Sequence, residues 1–430
     1  MERKIEDRLL SWKGSKNRLP LIVHGSRQVG KTFSIMRFGK THYKNFVYLN
    51  FESNRDLHSI FERSLSPSDI LRELGVLSGE TILENDTLIF FDEIQACGRA
   101  LTSLKYFTEE AAGYHIIAAG SLLGISINRE KYSFPVGKVT MIQMYPLDFE
   151  EFLGALGKKE ACGMIRESFD TSKPCPLHEF FLDLYKTYLC IGGMPNAVKE
   201  FIQTSDYAFV VAVQKNITDS FVADMVKYAT PSEAVRIISI YQSLPSQLAK
   251  ENKKFQYKLI KSGARANQYD TPMDWLKTSG IVIICPKVSS GFMPLVASME
   301  PSYFKVFMTD TGLLCSQFGI PLASMLSEFT GFNEIKGALA ENYVAAALSF
   351  NGHRPFYWES PGKAEIDFVI QDKNGNIIPV EVKSSANVRS KSLQQFIHKY
   401  SPAYSIRISA KNFGNENNIK SVPLYSAFCI

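Results

Sequence analysis

The chain has 430 residues, 45% hydrophobic and 21% charged, with a net charge of +5. That length exceeds one core and predicts two to four domains; the composition is that of an ordinary soluble globular protein, and so mild a charge does not by itself argue for nucleic acid. No apolar stretch approaches the roughly 18 residues that cross a membrane, and the seven scattered cysteines form no CxxC pair, so neither a disulfide nor a zinc framework is expected.

The charged N-terminus, MERKIEDRLLSWKG, lacks the apolar core of a secretory signal, and a cytoplasmic protein with reduced, mostly buried thiols is expected. Leu19-Pro20-Leu21-Ile22-Val23 then reads as a strand entering GSRQVGKT, and FSIMRFGK as a helix leaving it. The segment fits G-x-x-x-x-G-K-[ST] at every fixed position. In that pattern Gly25, Ser26, Arg27, Gln28, Val29 and Gly30 curl so that backbone N–H groups face phosphate oxygens. The helix start adds its positive dipole end. Lys31 reaches the β- and γ-phosphates, and the Thr32 hydroxyl binds magnesium. The pattern predicts a protein that binds a nucleoside triphosphate with Mg2+.

Apolar runs at 21–24, 46–51, 87–91, 115–119 and 139–144 alternate with helical stretches, which indicates a parallel sheet covered on both faces. The run TLIFFDEIQ ends in Asp92 and Glu93. Tandem acids about sixty residues after a phosphate loop are the second half of a nucleotide-hydrolysing site. Asp92 is expected to hold magnesium, and Glu93 to orient and deprotonate the attacking water. Ser121, ending HIIAAGS, is read either as a γ-phosphate or water contact or as a turn serine. Arg129 and Lys138 are the cations best placed along the chain to stabilise transition-state charge, or else simply solvated.

From Pro146 to about Val226 the pattern is helical, with DFEEFLGAL and EFFLDLYKTYL carrying apolar residues three and four apart. GGMP, Gly192 to Pro195, forms a tight turn or helix stop. Further on, PSQLAKEN (245–252) and YDTPMDWLKTSG (269–280) look like two helices of a winged helix, with IVIICPKV and MPLVAS as its wing. Lys250, Lys253, Lys254, Lys258, Lys261 and Arg265 face one acid, Glu251, in sixteen residues. Such a run either contacts a DNA backbone or is the solvated face of a protein-interaction module. The last hundred residues return to mixed α/β: KGALAENYVAAALSF is a helix bearing Glu341, EIDFVI a strand with Asp367, and IIPVEVKSS a strand with Glu381 and Lys383.

LIVHGSRQVGKT, VYLNFE, LIFFDEIQACGRALTSLKYF, AAGSLLG, SFPVGKV and YPLDFEEFL resemble the prokaryotic AAA-like ATPases joined to a C-terminal domain of unknown function 4143. The resemblance runs over nearly the whole chain. It implies an α/β fold: a P-loop ATPase sheet with one strand inserted between the loop strand and the Asp-Glu strand. It also implies a helical lid, in which GGMP resembles a Gly-x-Pro turn that contacts the nucleotide base, here through Pro195. The arrangement of Asp367, Glu381 and Lys383 resembles the PD-(D/E)XK nucleases, a restriction-endonuclease-like α/β fold, although Ile366 stands where a proline is usual. That likeness implies Asp367 and Glu381 on a second magnesium, assisted by Glu341, with Lys383 positioning water and Gln394 or Gln395 nearby.

The resulting expectation is an ATPase core at 1–145, a lid at 146–229, a winged-helix module at 230–325 and the nuclease-like domain at 326–430. Two functions follow. One is an ATP-gated nucleic-acid enzyme that binds DNA; the other is an ATP-driven switch with a protein partner and a catalytically dead nuclease-like domain.

Overall fold

The computed structural model describes residues 1–121, 123–124, 133–320, 333–360, 362, 364–385 and 391–430, so Arg129 lies outside the described residues. The chain divides into two compact units. The N-terminal unit is Glu2–Tyr145 with Thr278–Gly280; the C-terminal unit is Pro146–Lys277 and Ile281–Ile430, with Met1.

In the N-terminal unit, α1 (Ile5–Lys13) precedes β1 (Leu21–His24), α2 (Lys31–His42), β2 (Asn45–Asn50), α3 (Asp56–Arg63) and α4 (Pro67–Ser78). Then come β3 (Thr87–Asp92), α5 (Gly98–Glu110), β4 (His115–Gly120) and β5 (Thr140–Gln143). The sheet order is β2-β3-β4-β1-β5, and every pairing is parallel. Near-continuous apolar strands such as TLIFFD are buried along their whole length, as helices on both faces require. Phe51, Phe61 and Phe91 meet edge to face at 5.4–5.6 Å and anchor one side of this core. β4 is the inserted strand, between β1 and β3 as expected. Because all strands run one way, Gly25, Asp92 and Ser121 follow or end their strands at a single edge.

The C-terminal unit opens with α6 (Phe149–Ala155), α7 (Lys159–Thr171), α8 (His178–Ile191), α9 (Pro195–Thr204), α10 (Tyr207–Tyr228) and α11 (Pro231–Leu248). It continues through α12 (Asp270–Thr278), β6 (Val282–Val288), β7 (Met299–Met308), α13 (Thr311–Gln317) and α14 (Asn333–Phe350). The last elements are β8 (Phe356–Glu359), β9 (Glu365–Gln371), β10 (Ile377–Val382), α15 (Lys391–Tyr400), β11 (Ser405–Ser409), β12 (Gly414–Glu416) and β13 (Ile419–Pro423). Among the described residues, one eight-stranded sheet, ordered β12-β13-β11-β10-β9-β8-β6-β7, holds every strand of this unit. Trp358 meets Phe396 and Tyr400 edge to face in its core, with those two rings tilted against each other.

Three expectations change here. PSQL is no separate helix: it is the last turn of α11, which runs on through Pro245. MPLVAS is no strand, since Leu295–Ser298 forms a 3-10 turn and the partner of β6 is residues 299–308. Pro294 has no N–H to donate to a ladder, so pairing starts beyond it. The supposed wing also does not stand apart. β6 pairs in parallel with β8, Lys287 opposite Tyr357 and Val288 opposite Trp358, so the hairpin is an extension of the C-terminal sheet across the boundary expected at 325. The stretch expected as lid, winged helix and nuclease-like domain is one compact unit.

Candidate functional site

The phosphate-loop segment leaves β1 with three backbone conformations that lie in the left-handed region: Gly25 at φ 144°, Gln28 at 64° and Gly30 at 93°. Gly25 is required on steric grounds as well, because a Cβ there would sit 2.1 Å from the Met144 carbonyl oxygen. Ser26 and Val29 are buried, whereas Gln28 is exposed. Arg3, from the charged N-terminus, clamps the loop by donating to the carbonyls of Val29 (2.8 Å) and Tyr145 (2.7 Å). No sequence signal pointed to that residue.

Gly30 caps α2 without a side-chain acceptor, the kind of helix start that suits an anion. Lys31 is buried and its Nζ donates to the Gly25 and Ser26 carbonyls, each at 2.9 Å. Thr32 Oγ1 donates to Asp92 Oδ2 at 3.1 Å and lies 3.3 Å from Oδ1. Asp92 also accepts from the Tyr48 hydroxyl at 2.9 Å and from the Glu93 N–H at 3.1 Å. Burial raises its pKa, and the nearby Glu93 adds to this, while the bonds from Tyr48 and Thr32 oppose it.

Glu93 follows β3 at φ 51°, a left-handed conformation that turns the chain out of the strand. Its carboxylate accepts from Gln95 Nε2. Gln95 is buried and packs against the tip of β4, where a Cβ on Gly120 would lie 2.4 Å from its Oε1. Ser121 follows that tip, and its buried Oγ has no hydrogen-bond partner. A buried hydroxyl left in that state, between the loop strand and the acid strand, has room to bond a ligand oxygen. Tyr48 and Gln95 were not singled out from sequence, although both lie within two residues of recognisable motif positions. Lys138 pairs with Glu109 at 2.9 Å and is not held for this site.

Pro195 lies in the C-terminal unit as the first residue of α9. Its turn is held there tightly: Gly193 N–H donates to Asp310 Oδ2 at 2.7 Å, and Leu147 N–H donates to the Gly193 carbonyl at 2.7 Å. A Cβ on Gly193 would meet the Leu147 oxygen at 1.9 Å, and one on Gly192 would meet Asp310 Oδ1 at 2.3 Å. Those approaches give the two glycines a packing reason.

The C-terminal acids are brought together. β9 and β10 pair antiparallel with Phe368 opposite Val380, so the register continued by one residue sets Asp367 opposite Glu381. Asp367 Oδ2 accepts from the Val382 N–H at 2.8 Å. Lys383 Nζ lies 2.7 Å from Glu381 Oε1. Burial pushes the Asp367 carboxyl up to about 8, with Glu341 and Glu381 adding to the shift. The cluster nevertheless differs from the expected magnesium centre: among the described residues no three acidic, His or Cys side chains are arranged to hold a metal ion. Lysines stand there instead. Lys253 is bonded to Glu341, and Lys305, 1% exposed, lies 2.5 Å from Glu365 Oε1 and 3.9 Å from Glu341 Oε2. Burial alone would raise Glu341, yet Lys253 and Lys305 hold it below its usual range. Gln394 and Gln395 lie on α15, as expected of the next helix.

A parallel sheet with an inserted strand, a glycine-bounded loop entering α2 and a Thr-Asp pair at one edge define a P-loop ATPase. Residues 17–153 match the family model described as an AAA domain; residues 182–324 match a domain of unknown function (DUF8612) and residues 336–427 a domain of unknown function (DUF4143). The chain is an AAA-like P-loop ATPase with a C-terminal domain of unknown function 4143. No curated protein matches it. Among solved structures it is similar to the Walker-type ATPase PABY2304 of Pyrococcus abyssi, at 15% identity over 74% of this chain and 95% of that one, TM-score 0.44. It is similar also to the Aeropyrum pernix ORC2 protein in its ADPNP-ADP complexes (14%, 77% and 90%, TM-score 0.35). The Aeropyrum pernix ORC1 protein in complex with DNA is a further similar structure (14%, 76% and 93%, TM-score 0.29).

Proposed function

We propose that the N-terminal unit hydrolyses ATP with Mg2+ at the edge formed by Gly25–Thr32, Asp92, Glu93 and Ser121. The observation that carries this reading is the bonding of Thr32 to Asp92, an oxygen pair with the donor chemistry magnesium takes. Magnesium held by Thr32 and Asp92 would neutralise charge on the β- and γ-phosphate oxygens. Lys31 exchanges its two carbonyl partners for phosphate oxygens, and the uncapped start of α2 receives the remaining anionic charge. Glu93, once released by Gln95, takes a proton from the attacking water. Ser121 uses its unpartnered hydroxyl to hold that water or a γ-phosphate oxygen. The test is ATP binding by calorimetry in Lys31→Ala: tight binding should disappear, and unchanged affinity would refute the site.

The second reading concerns the use of that hydrolysis. The placement of Asp367 on β9, Glu381 on β10 and Lys383 directly after it favours nucleic-acid processing by the C-terminal unit over a switch that only binds protein. Lys250, Lys258, Lys261 and Arg265 are exposed and suited to a phosphate backbone, while Lys253 and Lys254 are engaged by Glu341 and Glu359. Replacing the four exposed cations with glutamine should lower the slope of log DNA affinity against log salt by about 0.9 for each phosphate no longer neutralised. An unchanged slope, with no DNA cleavage in magnesium, would leave the protein-interaction switch.

A further inference from the structure

The acid cluster of the C-terminal unit joins four carboxylates, Glu341, Glu365, Asp367 and Glu381, to three ammonium groups, Lys253, Lys305 and Lys383. Even so, two buried carboxylate oxygens, Glu341 Oε2 and Glu381 Oε2, have no hydrogen-bond partner. A buried acceptor without a donor is costly, so the cluster retains capacity for a cation.

The three lysines are not held alike. Lys305 lies within β7, and Lys383 directly follows β10 and donates its N–H to the Ile408 carbonyl at 2.9 Å. The backbone of both is held by the sheet. Lys253 belongs to the short segment between α11 and the next 3-10 turn, outside any named strand. That segment rests on the outer edge of β7 through three attachments: a lone bridge between Lys254 and Lys305, the Phe255 N–H on the Phe304 carbonyl at 2.9 Å, and the stacked rings of those two phenylalanines. Lys254 pins it further by donating to both oxygens of Glu359 at 2.6 Å.

We propose that Lys253 is a tethered cation standing where a divalent metal would bind Glu341, and that the strap Asn252–Phe255 must lift from β7 before metal can enter. The inference rests on reading the acid cluster as nuclease-like. It explains why the expected acids converge while their arrangement holds no metal: the strap keeps Glu341 turned to an ammonium. Lysine and metal are then alternatives at one carboxylate. Anything that lifts the strap, such as an anionic backbone competing for Lys253 and Lys254, would open the site.

Manganese titration of the full nucleotide-free chain, followed by electron paramagnetic resonance, tests this in the wild type, Lys253→Gln and Lys253→Gln with Glu381→Gln. The single variant should bind one additional ion at least tenfold more tightly than wild type, and the double variant should lose it. In parallel, acetic anhydride labelling of the wild type, read by peptide mass spectrometry, should show Lys253 several-fold more reactive with manganese while Lys305 stays protected. That second measurement needs no variant to fold. A Glu381-dependent ion bound equally by wild type and Lys253→Gln, with Lys253 labelling unmoved, overturns the strap but leaves the acid site as a metal site. Absence of any Glu381-dependent ion in all three proteins overturns the strap and the nuclease-like reading together.

Discussion

Thr32 Oγ1 donates to Asp92 Oδ2 at 3.1 Å, joining the first turn of α2 to the end of β3 across 60 positions. The bond holds the two oxygen-bearing side chains next to each other. On the proposed site, Thr32→Ala removes one magnesium ligand and leaves Asp92 with Tyr48. The magnesium concentration for half-maximal hydrolysis should rise about tenfold, equivalent to about 1.4 kcal/mol. Steady-state phosphate release against magnesium checks it; an unchanged requirement would remove Thr32 from the metal site.

Glu93→Gln keeps the shape of the side chain but cannot accept a proton. ATP affinity should hold within a factor of about two while turnover falls by about 10²–10⁴, the range of a lost general base. Single-turnover hydrolysis with radiolabelled ATP separates binding from chemistry. Wild-type turnover would assign the base elsewhere.

Gly193→Ala tests the packing role of the GGMP turn. The added methyl would stand 1.9 Å from the Leu147 oxygen, and backbone on both sides would have to shift. Overpacking of this kind should cost about 3 kcal/mol or more, read from urea denaturation of the C-terminal unit's transition. A loss under about 0.5 kcal/mol would mean that the turn relaxes freely.

His115 gives a pH dependence with a definite sign. It is buried at the start of β4, 2.6 Å from the Tyr43 hydroxyl, and burial lowers its pKa to about 4, with Arg18 and Lys13 assisting. The unfolded imidazole titrates near its ordinary 6.5, so between those values the unfolded chain binds more protons and stability rises with pH. The contribution is present above about 6.5 and is lost as pH falls toward 4. It amounts to about 1–3 kcal/mol. Melting of the N-terminal unit from pH 7 to 4 should show that slope in the wild type and a shallower one in His115→Phe.

The candidate nucleotide site is legible in the sequence because the chemistry proposed for it is local. A loop of eight consecutive residues must place backbone N–H groups and one lysine on phosphate, so Gly25, Gly30, Lys31 and Thr32 carry their meaning in their spacing. Asp92 and Glu93 are legible for the same reason, as an apolar strand with acids at its end, and the alternation of such strands with helices predicts the parallel sheet. Partners contributed by distant segments left no such mark. Tyr48 on Asp92 and Arg3 on Val29 are single pairings that any tyrosine or arginine could make. In the C-terminal unit, spacing brought Asp367, Glu381 and Lys383 to adjacent strands, since a hairpin register is nearly local. Tertiary structure decided what surrounds them. Lys253 reaches Glu341 across 88 positions and Lys305 arrives from a strand expected elsewhere. The hairpin of β6 and β7 joins the C-terminal sheet through a parallel pairing with β8. Strand edges carry no address in sequence; the free ladder of β6 is satisfied by whichever strand the packed core brings beside it.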